Sequence, residues 1–158
     1  MSEIISLNQL HHKIDFIRSK SKDIKIVATN GCFDILHIGH IRSLQKAKTL
    51  GTTLVVGINN DSSVKKLKGN NRPINKEHER AEILAALSCI DIVTIFEEDT
   101  AERFLGIVKP DIYVKGGEYN LDNLPEAKLV RSYGGKTIQI PMIPCFSTTN
   151  TIDRLKKN

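Results

Sequence analysis

The chain has 158 residues, of which 40% are hydrophobic, and 23 Lys and Arg against 18 Asp and Glu leave a net charge of +5. That is enough apolar material for one domain with one core, which argues against disorder; no apolar run approaches the ~20 residues of a membrane span, and residues 1–10 lack a basic start with a long apolar stretch, so neither a membrane helix nor a secretory leader is expected and the cytoplasm is the default location. The positive balance calls for an anionic partner, and with basic residues dispersed and Trp absent it favours small phosphates over nucleic acid.

Leu7, Leu10, Ile14 and Ile17 recur at helical spacing, predicting a helix over Leu7–Arg18. Ile24–Thr29 is short, apolar and β-branched, a first strand. His40–Leu50 reads as a helix stopped by Gly51, and Thr53–Ile58 as a continuously apolar second strand of the kind buried on both faces. A polar stretch, Asn59–Asn75, precedes a helix over Lys76–Leu87 and a third strand over Ile90–Phe96. Thr100 opens a further helix to about Val108, Pro110 precedes a fourth strand at Asp111–Val114, and Leu124–Tyr133 is helical up to Gly134-Gly135. Thr137–Ile140 is the fifth strand, and Ser147–Lys157 the closing helix.

Alternating strands and helices predict an α/β fold: one Rossmann-like domain over 1–158, a five-stranded parallel sheet with helices on both faces. Ligands of such sheets bind at the carboxyl ends of the strands, where strand order reverses. The loops after strands one, two, four and five therefore matter most. Cys32, Cys89 and Cys145 are odd in number and form no CxxC, so reduced thiols are expected rather than a disulfide framework or a zinc site.

After the first strand comes Thr29-Asn30-Gly31-Cys32-Phe33-Asp34-Ile35-Leu36-His37-Ile38-Gly39-His40, which ends at a helix start. Gly39 lets a nucleotide approach the backbone, free N–H groups at the helix start suit a polyphosphate, and the imidazoles can donate to phosphate oxygens where charge accumulates. The competing readings are two surface histidines or a metal pair, although only Asp34 lies near as a further ligand. Ser147, Thr148 and Thr149 open the final helix, either as its cap or as holders of the β- and γ-phosphates. Lys65, Lys66, Lys68 and Arg72 follow the second strand, as a solvated loop or as one that closes over phosphates. Lys115-Gly116-Gly117-Glu118-Tyr119 follows the fourth strand, where base or ribose should lie; Gly-Gly alone also marks a turn.

His37-Ile38-Gly39-His40 resembles the HxGH motif of the nucleotidyltransferase superfamily, and Ser147-Thr148-Thr149 resembles that superfamily's second signature. The segment from about Val27 to Leu155 is similar to the heptose 1-phosphate adenylyltransferases, including their VKGGDY segment with Glu118 in place of Asp. Positions 141–145 lack the Arg of glycerol-3-phosphate cytidylyltransferases, which counts against that branch. The resemblance implies adenylyl transfer from ATP to a sugar 1-phosphate, with Mg²⁺ bridging phosphates rather than caged by protein. It implies nucleotide contacts from Asn30, Gly31, Cys32, Phe33, His37, Gly39, His40, Lys115, Gly116, Gly117, Ser147, Thr148 and Thr149. His37, His40, Lys68 and Arg80 would be catalytic, and Asp34, Lys65, Lys68, Arg72 and Arg80 would bind the acceptor. It also implies a homodimer and a separate sugar kinase. The rivals are CTP with glycerol 3-phosphate, ATP with FMN, or a nucleotide-sensing or RNA-binding module without chemistry.

Overall fold

A computed structural model describes residues 2–117 and 120–141, together with Ile152. The elements in order are β1 (Glu3–Ile4), α1 (Leu7–Lys20), β2 (Ile26–Gly31), α2 (Ile38–Lys48), β3 (Thr53–Asn59), α3 (Asp61–Lys68) and α4 (Glu77–Ala85). They continue with β4 (Ile92–Phe96), α5 (Glu102–Val108), β5 (Ile112–Gly116), a 3₁₀ turn (Leu121–Asn123), α6 (Pro125–Ser132) and β6 (Lys136–Ile140). The expected helix over 147–157, and with it Ser147, Thr148 and Thr149, lies outside the described residues.

The sheet has six strands, one more than expected, in the order β1-β4-β3-β2-β5-β6. Every pairing is parallel. The added strand is the two-residue edge β1, whose Glu3 and Ile4 pair with Ile92 and Val93; two residues carry no period a sequence can display. The second difference is α3, inside the stretch expected to be irregular. Asn60 caps it by accepting the Ser63 N–H at 2.8 Å, but α3 buries only Ser63 and Val64, so it shows no apolar stripe.

Alternation along β2 explains the two cores. Ile26 and Ala28 face one side with Leu10 and Ile14 of α1, Phe104 and Leu105 of α5 and Val130 of α6. Val27 faces the other side with Leu44 and Ala47 of α2, Ala81 and Leu84 of α4, and Val56 and Val114 from neighbouring strands. Thus α6 and α2 cover opposite faces. Gly57 in β3 permits one close approach, since a Cβ there would lie 2.8 Å from the Phe104 ring. From β2 the chain builds β3 and β4 to one side and β5 and β6 to the other, so the strand order reverses between β2 and β5. A crevice opens there, at the carboxyl ends of these strands. Among the described residues no helix is long and apolar enough to cross a membrane.

Candidate active site

A cavity of about 530 Å³ occupies that crevice, a volume suited to a small-molecule ligand. Its wall includes Asn30, Gly31, Cys32, Phe33, Asp34, His37, Gly39 and His40 from the β2–α2 segment, Lys68 and Arg72 from beyond α3, and Lys115, Gly116 and Gly117 from the end of β5. The sequence motifs therefore converge in space. Lys65 is exposed and is not part of the described wall, and Lys66 pairs at the surface with Asp99 at 3.3 Å.

The β2–α2 turn folds tightly. Phe33 takes a left-handed conformation (φ +46°), and its ring lies 3.0 Å from where a Cβ on Gly31 would stand, so a side chain at 31 would displace it. The Phe33 ring also leans on His40, with centroids 5.3 Å apart. The His37 and His40 rings stack at 3.8 Å. His40 Nδ1 accepts the backbone N–H of His37 at 3.4 Å, which leaves Nε2 of the neutral ring to carry its proton. Burial, with a smaller contribution from His37, pushes the His40 pKa down to about 4, so the ring is neutral at physiological pH. Burial lowers His37 as well. The His37 Nδ1 atom is buried and has no hydrogen-bond partner among the described residues. Two neutral imidazoles at the first turn of α2 thus form a donor pair rather than a cationic one.

Two charged residues expected at the acceptor are held by protein groups. Arg80 is 1% exposed and is absent from the cavity wall. Its Nε donates to the Asn75 carbonyl at 3.1 Å and its Nη1 to the carbonyls of Cys32 at 2.6 Å and Asn59 at 2.8 Å. Its Nη2 donates to Asp61 at 2.9 Å. A guanidinium committed in this way braces the segments beneath the cavity.

Asp34 is 3% exposed. Its carboxylate accepts from the Arg72 Nε and from the amides of Ile74, at 2.8 and 3.0 Å, and Asn75, at 2.9 Å. Burial alone would raise its pKa, but the Asn75 and Ile74 amides and Arg72 outweigh it and hold the carboxyl below its ordinary value. Asp34 is therefore a clamp that fixes the segment carrying Arg72, and it stands in the cavity wall as well. Among the described residues no group of three or more His, Cys, Asp or Glu could hold a metal ion.

Sequence reasoning missed Ser43, Asn59 and Glu126, which also line the cavity. Ser43 lies four residues after Gly39 on α2, so helical periodicity could have found it. Its Oγ would stand 3.3 Å from a Cβ on Gly116, which draws α2 and the end of β5 together. Asn59 ends β3, and its amide donates to Ser63 at 3.0 Å. Glu126 is brought in only by the fold: α6 begins beside β5 and directs its first turn at the crevice. Its Oε1 receives a 3.5 Å contact from the Ala101 amide. On that side, Asn30 Oδ1 accepts the Tyr113 hydroxyl at 2.7 Å, with Lys115 Nζ 3.4 Å away. Burial lowers the Lys115 pKa, and the charge of Glu126 counteracts this. Burial also raises the Cys32 thiol, against the pull of Lys68, Arg80 and Arg72.

Residues 28–154 match the cytidylyltransferase-like family, a span that takes in the whole crevice. A D-beta-D-heptose 1-phosphate adenylyltransferase from Bordetella bronchiseptica is 49% identical over 84% of this chain and 82% of its own. The bifunctional protein HldE of Pelobacter propionicus is 46% identical over 98% of this chain, and the chain spans only 34% of that relative's length. A lipopolysaccharide core biosynthesis protein from Thermoplasma volcanium, known from a crystal structure, superposes with a TM-score of 0.61 at 30% identity over 76% of this chain and 97% of that one. With the paired histidines, the parallel sheet and the crevice at its reversal point all falling within the matched span, the chain belongs to the cytidylyltransferase-like family.

Proposed function

We propose that this chain transfers the adenylyl group of ATP to D-glycero-β-D-manno-heptose 1-phosphate, giving ADP-heptose and pyrophosphate. The observation that carries the reaction type is the stacked, neutral His37–His40 pair at the start of α2, in one cavity with Lys68 and Arg72. The acceptor is supported by the Bordetella relative, whose name states that sugar phosphate and whose length this chain largely covers.

The acceptor phosphate has a second pKa of about 6, so its oxygen is already anionic at neutral pH and needs no strong base. It attacks the α-phosphorus of ATP in line, and the bond to the β-phosphate oxygen breaks as pyrophosphate leaves. The imidazole N–H groups donate to the phosphate oxygens where negative charge builds. Lys68 and Arg72 offset the repulsion between the acceptor phosphate and the triphosphate, and Gly39, Gly116 and Gly117 let backbone approach the nucleotide. Mg²⁺ carried on the ATP phosphates would supply further charge neutralisation beside Lys68 and Arg72. A kinase reaction upstream must supply the sugar 1-phosphate.

The test is a matrix of ATP, CTP, GTP and UTP against heptose 1-phosphate, glycerol 3-phosphate and FMN, scored by pyrophosphate release. The expected result is the highest kcat/KM for ATP with the heptose 1-phosphate. Faster turnover of CTP with glycerol 3-phosphate, or salt-sensitive RNA binding with no pyrophosphate release, overturns the reading.

A further inference from the structure

Ser43 is a polar group of the cavity that the reaction proposed above leaves unused. With Gly39, His40 and Leu44 it forms the stripe that α2 turns to the cavity. Its hydroxyl has no hydrogen-bond partner among the described residues. The same hydroxyl stands where α2 comes close to the end of β5: its Oγ is 3.3 Å from where a Cβ on Gly116 would lie. Because Gly116 carries no side chain, the space beside that hydroxyl stays open to a ligand.

The order of groups along ATP decides what Ser43 meets. The phosphates belong at the start of α2, with the free N–H groups and the histidines. Ser43 follows His40 by three residues, a step of about 4.5 Å along the helix axis. Helical side chains lean back toward the N-terminus, which keeps the Ser43 Oγ near the histidine turn. The ribose is bonded directly to the α-phosphate, and the base lies beyond it. One turn past the histidines, the group within reach is therefore the ribose. A ribose hydroxyl both donates and accepts, and so does a serine hydroxyl, so the two pair in either direction. Gly116, which faces Ser43, lies in the segment already expected at the nucleotide.

We propose that the Ser43 hydroxyl holds a ribose hydroxyl of the bound nucleotide and so separates ribonucleotide from deoxyribonucleotide donors. This rests on the adenylyltransferase reading above. The test titrates the wild type and S43A calorimetrically with ATP, 2′-deoxy-ATP and 3′-deoxy-ATP, with Mg²⁺ and without acceptor, and records a melting curve for each protein. The expected wild type binds one of the two deoxynucleotides more weakly than ATP by roughly 3- to 10-fold, the worth of one hydrogen bond. S43A, with an unchanged Tm, should bind ATP more weakly by a similar factor and no longer distinguish it from that deoxynucleotide. A wild type that binds all three nucleotides alike overturns the inference, as does an S43A that binds ATP as tightly as the wild type. An S43A that is weakened but keeps the wild-type discrimination places Ser43 against the base or a phosphate and overturns it too. Pyrophosphate release is scored separately: a wild type that binds ATP but turns over no sugar 1-phosphate defeats the functional reading, while the titrations still judge Ser43.

Discussion

Arg80→Met separates a structural role from a substrate role. The Arg80 side chain is 0% exposed and ties together four acceptors on three segments: Cys32 after β2, Asn59 and Asp61 around the β3–α3 junction, and Asn75 before α4. Methionine fills much of the volume but leaves those acceptors unpaired. Removing one partner of a buried, hydrogen-bonded ion pair costs roughly 3–5 kcal/mol. Asp61 retains partial access to water at 29% exposure, which places the expected loss at the lower end of that range. For a chain of this size each kcal/mol lowers Tm by about 2–4 °C, so a fall of roughly 6–12 °C is expected. Calorimetry gives the Tm, and pyrophosphate release below the new transition gives the activity. The substrate role predicts the reverse: an unchanged Tm with a collapsed kcat or a raised acceptor KM. That outcome would refute the assignment of Arg80 as a brace.

Three further outcomes follow from the same geometry. His40→Ala is expected to lower kcat on the order of 100-fold, the worth of one preorganised donor, and a folded variant with wild-type turnover removes the imidazole pair from the mechanism. His40 also links stability to pH: with its folded pKa at about 4, below the ordinary imidazole value of 6.5, the unfolded chain takes up a proton that the folded chain refuses. Its contribution is complete above about 6.5 and is lost as pH falls toward 4, so urea midpoints at pH 7 and 4.5 should differ less in His40→Ala than in the wild type. Asp34→Ala should release the Ile74 and Asn75 amides, seen as faster hydrogen exchange there than in the wild type, and lower affinity for the acceptor through Arg72; unchanged exchange disproves the clamp. Chelation of divalent cations should abolish pyrophosphate release without lowering Tm, whereas a fall in Tm points to a structural metal.

The alternation of elements was legible because each core strand is a run of apolar β-branched residues and each long helix presents a stripe at helical spacing. Ile26–Ala28 and Leu44 with Ala47 are cases in point. What the sequence hid was held by capping and pairing rather than by periodicity: α3 rests on Asn60 and two buried residues, and β1 on two residues at a sheet edge. The nucleotide-side motif was legible because Gly39 and two histidines are contiguous. The roles of Arg80 and Asp34 were not, because a charged residue bears the same letter whether it faces a ligand or is consumed by protein groups as far as 48 residues away in sequence. Glu126 was hidden for a related reason, since only the position of α6 beside β5 aims it at the crevice.

Under the proposed adenylyl transfer, the division of charge within the site accounts for how two anions would be made to react. Bringing a phosphate monoester against a triphosphate requires positive charge, which in this proposal comes from Lys68 and Arg72 in the cavity wall. Were His37 and His40 also cationic, they would bind the triphosphate strongly before reaction and gain little as charge shifts to the leaving oxygen. As neutral donors they grip the ground state less, and their hydrogen bonds strengthen as negative charge develops, which favours the transition state over bound ATP. Neutrality of His40 depends first on burial and then on the charge of the neighbouring His37. Phe33 leans on the His40 ring from the left-handed turn over Gly31, so packing in the β2–α2 turn sets the protonation state on which the chemistry relies. Arg80 and Asp34 serve the same arrangement from beneath, because the loops they fasten are those that carry Cys32 and Arg72 to the rim of the cavity.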